Sequence, residues 1–116
     1  MLYCWLQLPL NLIKNVAIQA QDAGDFKDPV DYLEKVATTA AKIGLITLDK
    51  PERKTIAGIT FFRQDYYSPK GTFYQTHVST IYKEYVLDFI LSAADNADIK
   101  RLFNSLNSLQ FGAKEK

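Results

Sequence analysis

The chain is 116 residues long, with 47% hydrophobic and 23% charged residues. That is one domain's length and an ordinary globular composition, which excludes a disordered or fibrous chain. Fourteen basic against thirteen acidic side chains leave a net charge of +1. The balance argues against a nucleic-acid binder, which needs clustered Lys and Arg to displace phosphate counterions. One cysteine and one histidine exclude an internal disulfide framework and a transition-metal site of three or four N/S ligands. No cofactor is expected.

From the amino terminus, Leu2, Cys4, Leu6, Leu8 and Leu10 alternate with Tyr3, Trp5, Gln7 and Pro9, the period of a strand. The apolar run over residues 1–13 is too short and interrupted to span a bilayer, and it lacks a basic n-region and a small-residue cleavage site. Its rival reading is the truncated start of a longer protein. The chain as written is expected in the cytoplasm, and a truncated one in the envelope or exported. Asn15 to Gln21 alternates Val16, Ile18 and Ala20 against polar or small neighbours, a half-buried strand, and residues 22–27 form a turn-rich loop.

Asp28 as cap, Pro29 at the first helical position and Asp31 in the first turn predict a helix over residues 29–43, stopped by Gly44. Its apolar stripe reads Val30, Leu33, Val36, Ala37, Ala40 and Ala41. A short strand over residues 45–48, a turn over 49–52 and a brief pairing over 54–56 follow. Three long strands then run over residues 58–67, 72–82 and 85–91. Ser68-Pro-Lys-Gly71 makes one hairpin turn and Lys83-Glu84 another, giving an antiparallel meander. Asp95 caps a last helix over residues 96–108 with Ile99, Leu102, Phe103 and Leu106 on one face, and residues 112–116 read as a polar tail. The fold class is α+β: a twisted antiparallel β-sheet carrying two main helices, and both are expected on one face.

The order of elements resembles the PsbP-like (Mog/PsbP-like) domains, small bacterial members of unassigned activity among them. The resemblance is carried by Ala20-Gln21-Asp22, Asp31-Tyr32-Leu33, Gly58, Phe62-Arg63-x-Asp65-Tyr66, Tyr74-Gln75, Tyr85 through Phe89, and Ser105-Leu-x-Ser-Leu-x-Phe111. These cover most of residues 15–111. The resemblance implies an antiparallel sheet sandwiched between helices in a single domain, and non-enzymatic roles. Those roles are diverse: an extrinsic photosystem subunit, a binder of a transport GTPase, envelope-associated proteins. It transfers no functional residue, and the export signal usual in these relatives is missing.

Chemistry-bearing constellations are few. His77 sits mid-strand with no serine or cysteine placed for activation. Arg63 and Asp65 are two apart on one strand and can pair on one face. Tyr66, Tyr67, Tyr74, Tyr82 and Tyr85 crowd the meander, either as strand-favouring packing residues or as a binding face. The favoured reading is a non-enzymatic accessory or protein-interaction domain with an unknown protein partner, using a face made of Arg63, Asp65, Tyr66, Tyr74 and His77. The alternative is a small-molecule or lipid carrier with a cavity between helix and sheet. The weakest is a hydrolase built on His77 with Asp65.

Overall fold

The computed structural model describes residues 2–5, 15–24, 26–108 and 110–113. In chain order the elements are β1 (Leu2–Trp5), β2 (Asn15–Asp22), α1 (Pro29–Lys42), β3 (Ile46–Ile56), β4 (Ile59–Ser68), β5 (Phe73–Tyr82), β6 (Tyr85–Ala93), α2 (Asn96–Ser105), a single 3-10 turn at Leu106–Ser108, and β7 (Gln110–Ala113). Five strands form one antiparallel sheet in the order β2-β6-β5-β4-β3, and β1 pairs with β7 in a separate two-stranded ribbon. Gly112 and Ala113, expected in a polar tail, therefore belong to a strand. Expectations for residues 6–14 and 114–116 lie outside the described residues.

Local chemistry sets the turns. Ala57-Gly58 and Lys83-Glu84 all have positive φ, the primed geometry whose twist matches a two-residue hairpin. Ala57-Gly58 thus ends β3 instead of opening β4. Residues 49–52, expected as a turn, lie inside β3 as a register shift between Leu48 and Glu52. Asp49 takes φ 63 there, which Asp tolerates better than most side chains. The buried Gln64 amide donates to Leu48 O and Asp49 O, each at 2.9 Å, so the carbonyls freed by the bulge find a donor.

Strand alternation splits the sheet into two apolar faces. Phe61, Val78, Leu87, Phe89, Leu91 and Ala93 meet Ile99, Leu102 and Leu106 of α2 and the turn after it. On the opposite face, Phe62, Ile81 and Val86 pack with Tyr32, Leu33 and Val36 of α1, and Tyr66 packs with Ala40, Leu45 and Phe73. The helices therefore lie on opposite faces, as the resemblance to the PsbP-like domains implies, and the expectation of both on one face is corrected. Two apolar faces need two covers: an alternating strand with large apolar groups at both parities cannot be sealed from one side.

Both helices begin as the sequence predicts. Asp28 Oδ1 accepts from Asp31 N and Asp95 Oδ1 from Asp98 N, each at 2.9 Å, which satisfies one orphan N–H at each start. The buried stripe of α1 is rotated from the expected one: Tyr32 is buried and Ala41 exposed. Tyr32, Val36 and Ala40 are successive i, i+4 neighbours, and this row is the one that faces the sheet.

Candidate functional site

Under α1 the sheet carries a polar cluster. Asp88, on β6, lies opposite Ser79 of β5 in the register and is 1% exposed. A buried carboxylate needs donors around it, and three converge. Ser79 Oγ donates to Oδ1 at 2.8 Å, Tyr32 Oη donates to Oδ2 at 2.9 Å, and His77 Nδ1 lies 2.7 Å from Oδ2. An ionised carboxylate only accepts, so Nδ1 carries the proton of that bond. The other ring nitrogen, Nε2, lies 3.2 Å from Gln75 Oε1. Burial, reinforced by the Asp88 carboxylate, pushes the Tyr32 phenol above its ordinary range, and the same causes push Tyr66 up to about 12. Both phenols stay protonated at neutral pH. Tyr66 stands edge-on to the His77 ring at 5.6 Å, and its hydroxyl has no hydrogen-bond partner among the described residues.

The connectivity decides what this cluster can do. In a nucleophilic triad the imidazole stands between acid and hydroxyl, taking the proton of the attacking group. Here the acid stands in the middle, between His77 and Ser79. Ser79 is fully buried and spends its proton on Asp88, so the arrangement orients side chains without activating the hydroxyl. Asp65, the expected partner of His77, lies on the other face of the sheet. Among the described residues, no three His, Cys, Asp or Glu side chains converge to hold a metal ion.

Beside the cluster runs a groove of about 330 Å3 between α1 and the part of the sheet that the helix leaves uncovered. Phe26, Val36, Ile43 and Leu45 make its apolar wall, and the amides of Gln19, Gln21 and Gln75 rim it. His77 opens onto the groove, while Asp88 sits below. Lys35 Nζ lies over the Phe26 ring at 5.6 Å.

The remaining residues of the expected face lie elsewhere. Strand parity puts Arg63, Asp65 and Tyr74 on the α2 side, and Tyr66 and His77 on the α1 side. Arg63 Nε donates to Asp65 Oδ1 at 2.9 Å, and Thr76 Oγ1 donates to the same oxygen at 2.6 Å. The Arg63 guanidinium stacks on Phe103 of α2 at 4.5 Å. Arg63 and Asp65 also line a polar cleft of about 390 Å3 with Asp49, Lys50, Pro51 and Glu52 of the β3 bulge. Tyr74, half-buried, packs against Tyr67 with ring centroids 4.8 Å apart and planes tilted by 47°. Tyr66 is wholly buried and presents no surface.

The chain superposes on the solution structure of cyanobacterial PsbP (CyanoP) from Synechocystis sp. PCC 6803 with a TM-score of 0.62 and 17% sequence identity. The fold is that of PsbP. The match covers 84% of this chain and 66% of CyanoP, so the chain spans a little under two thirds of that PsbP. At such identity the likeness concerns architecture: the five-stranded antiparallel sheet between two helices. No protein-family model matches the sequence, and no curated protein matches it significantly. Among the described residues, no helix is long and apolar enough to cross a membrane.

Tyr32, Ser79 and Asp88 carry no site role in the sequence pattern, yet they build the cluster. One signal was present: Asp88 is the only charge within the apolar run from Val86 to Leu91, and a carboxylate there must be buried and answered by donors. Tyr32 gave no comparable signal, because it reaches Asp88 across 56 positions.

Proposed function

We propose that this PsbP-fold domain is a non-enzymatic protein-interaction module that holds an extended, uncharged peptide segment of a partner in the groove along α1. The observation that carries this reading is the groove's chemistry. An apolar wall of Val36, Ile43 and Leu45 faces a rim of Gln19, Gln21 and Gln75. Gln19 and Gln21 each offer a donor and an acceptor, the pair of groups a peptide backbone needs, while the Gln75 amide already meets His77 and Ser92. Ile43 is 73% exposed at the groove's mouth, an apolar contact awaiting a cover.

The buried cluster supports the non-enzymatic part. Its carboxylate takes three hydrogen bonds from within the fold, and the Ser79 hydroxyl donates to that carboxylate. The cluster then serves as a floor that fixes the His77 ring and the pitch of α1. The volume also falls at the low end for small-molecule sites, which keeps a carrier as the second reading, although the groove is open along one side.

A photo-crosslinking residue at position 43, compared with one at Lys100 on the exposed side of α2, tests the proposal in the native host. Specific capture of one protein at position 43 alone, lost with Gln75→Ala and Gln19→Ala, is the expected result. Equal capture at both positions, or a small molecule that co-purifies in native mass spectrometry and displaces the crosslink, overturns it.

A further inference from the structure

The two edges of the five-stranded sheet are guarded very differently. β3, at one edge, contains Pro51, a register shift, a left-handed Asp49, and the charges Lys50, Glu52, Arg53 and Lys54. These are the devices that prevent a sheet edge from pairing with another chain. β2, at the other edge, has no proline and no register shift, and its one charge, Asp22, stands at its end. From Val16 to Gln21 it holds no charge, no proline and no glycine, and its register with β6 is unbroken from Asn15 to Asp22. Among the described residues β6 is its sole neighbour. Every second residue of β2 therefore turns its backbone N–H and C=O outward. Ile18, at mid-strand, is 47% exposed.

The sequence of the strand is also complementary to itself. Antiparallel pairing about a two-fold axis at Ile18 sets Ile18 of one copy opposite Ile18 of the other. It also sets Val16 opposite Ala20 on the same face and Ala17 opposite Gln19 on the other. Residues directly opposite in an antiparallel pair share a face, so apolar groups meet apolar groups on the α2 side, where Val16 already packs against the core. No like charges face each other. The same operation applied to β3 would crowd its lysines and arginine and leave Pro51 without an N–H to donate.

We infer that β2 is a homodimerisation edge: two copies join β2 to β2 in antiparallel register about Ile18, extending each five-stranded sheet into one of ten strands. The occupant is a second copy of this chain, and the contact adjoins the α1 groove, which Gln19 and Gln21 of the same strand rim. A single strand pair is a small interface, so association is weak and concentration-dependent, on the order of micromolar.

Sedimentation equilibrium across that range tests it, with three versions of the full chain. Wild type should reach twice the monomer mass. Ile18→Lys puts two ammonium groups opposite each other and should weaken association roughly tenfold or more, as should Ile18→Glu. An equal mixture of the two variants should regain the dimer, because Lys then faces Glu; a misfolded variant cannot be rescued this way. Amide exchange should slow with concentration at alternate β2 residues. Three results overturn the inference: a wild-type chain that stays monomeric through the millimolar range, a dimer that survives Ile18→Lys, or a mixture that does not reassociate.

Discussion

Asp88→Asn is the most informative single change, because it keeps the shape of the side chain and removes only its charge. Asp88 is 1% exposed and takes three hydrogen bonds, from Tyr32, Ser79 and His77. An asparagine can still satisfy them in number. Its carbonyl accepts from Tyr32 and His77, and its amide donates to Ser79 Oγ, which can accept. The strength changes instead. Hydrogen bonds to a charged group contribute about 1.5–3 kcal/mol each and neutral ones about 0.5–1.5. Losing roughly 1 kcal/mol at each of three contacts destabilises the domain by about 3 kcal/mol, a large share of the about 5–15 kcal/mol typical of a whole domain. With an m-value near ~2 kcal/mol/M, the urea midpoint falls by about 1.5 M while the slope stays constant. Tyr32→Phe combined with Asp88→Asn should then cost less than the sum of the two, since both act on one contact. A midpoint within about 0.5 M of wild type would refute the reasoning: the cluster would not be held by its carboxylate charge, and the pitch of α1 would rest on apolar packing alone.

Tyr66→Phe deletes a buried hydroxyl that has no hydrogen-bond partner among the described residues, so thermal unfolding should show unchanged or raised stability, by up to about 1 kcal/mol. Tyr32→Phe, by contrast, removes a donor from Asp88 and should destabilise by about 1.5–3 kcal/mol in the same assay. Tyr66 titrates near 12 when folded against 10.0 in its ordinary state, and Tyr32 is raised as well. The folded chain thus keeps protons that the unfolded chain releases. This contribution is complete below about pH 10 and is lost as pH rises toward 12, so urea midpoints should drop through that window together with rising tyrosinate absorbance, and Tyr66→Phe should flatten the drop. Leu102→Ala empties a site 2% exposed in the α2 core and should lower stability by about 2–5 kcal/mol by denaturant titration. Glu84→Gly relieves a side chain at φ 72 in the β5–β6 turn and should stabilise by about 1 kcal/mol, read as a higher melting temperature.

The elements themselves were legible in the residues because their causes are local. Asp28-Pro29 and Asp95 cap helices through contacts three residues away, and Ser68-Pro-Lys-Gly71 turns a chain wherever it stands. Three strands of alternating or continuous apolar residues joined by short turns leave little choice but an antiparallel meander. Parity along β4 was equally available: Arg63 and Asp65 must face away from Tyr66, so a single surface holding all of them was excluded by the two-residue period alone.

Only the tertiary structure decided which face each helix covers, because an amphipathic stripe states that it is buried and not against what. It likewise decided that residues 49–52 bulge within a strand, since the stabilising donor is Gln64 of the neighbouring strand. Tyr32, His77, Ser79 and Asp88 come from a helix and two strands, and nothing in their spacing along the chain brings them together. Their meeting is fixed by sheet register and by the seat of α1, where a buried carboxylate needs more donors than its own strand can supply.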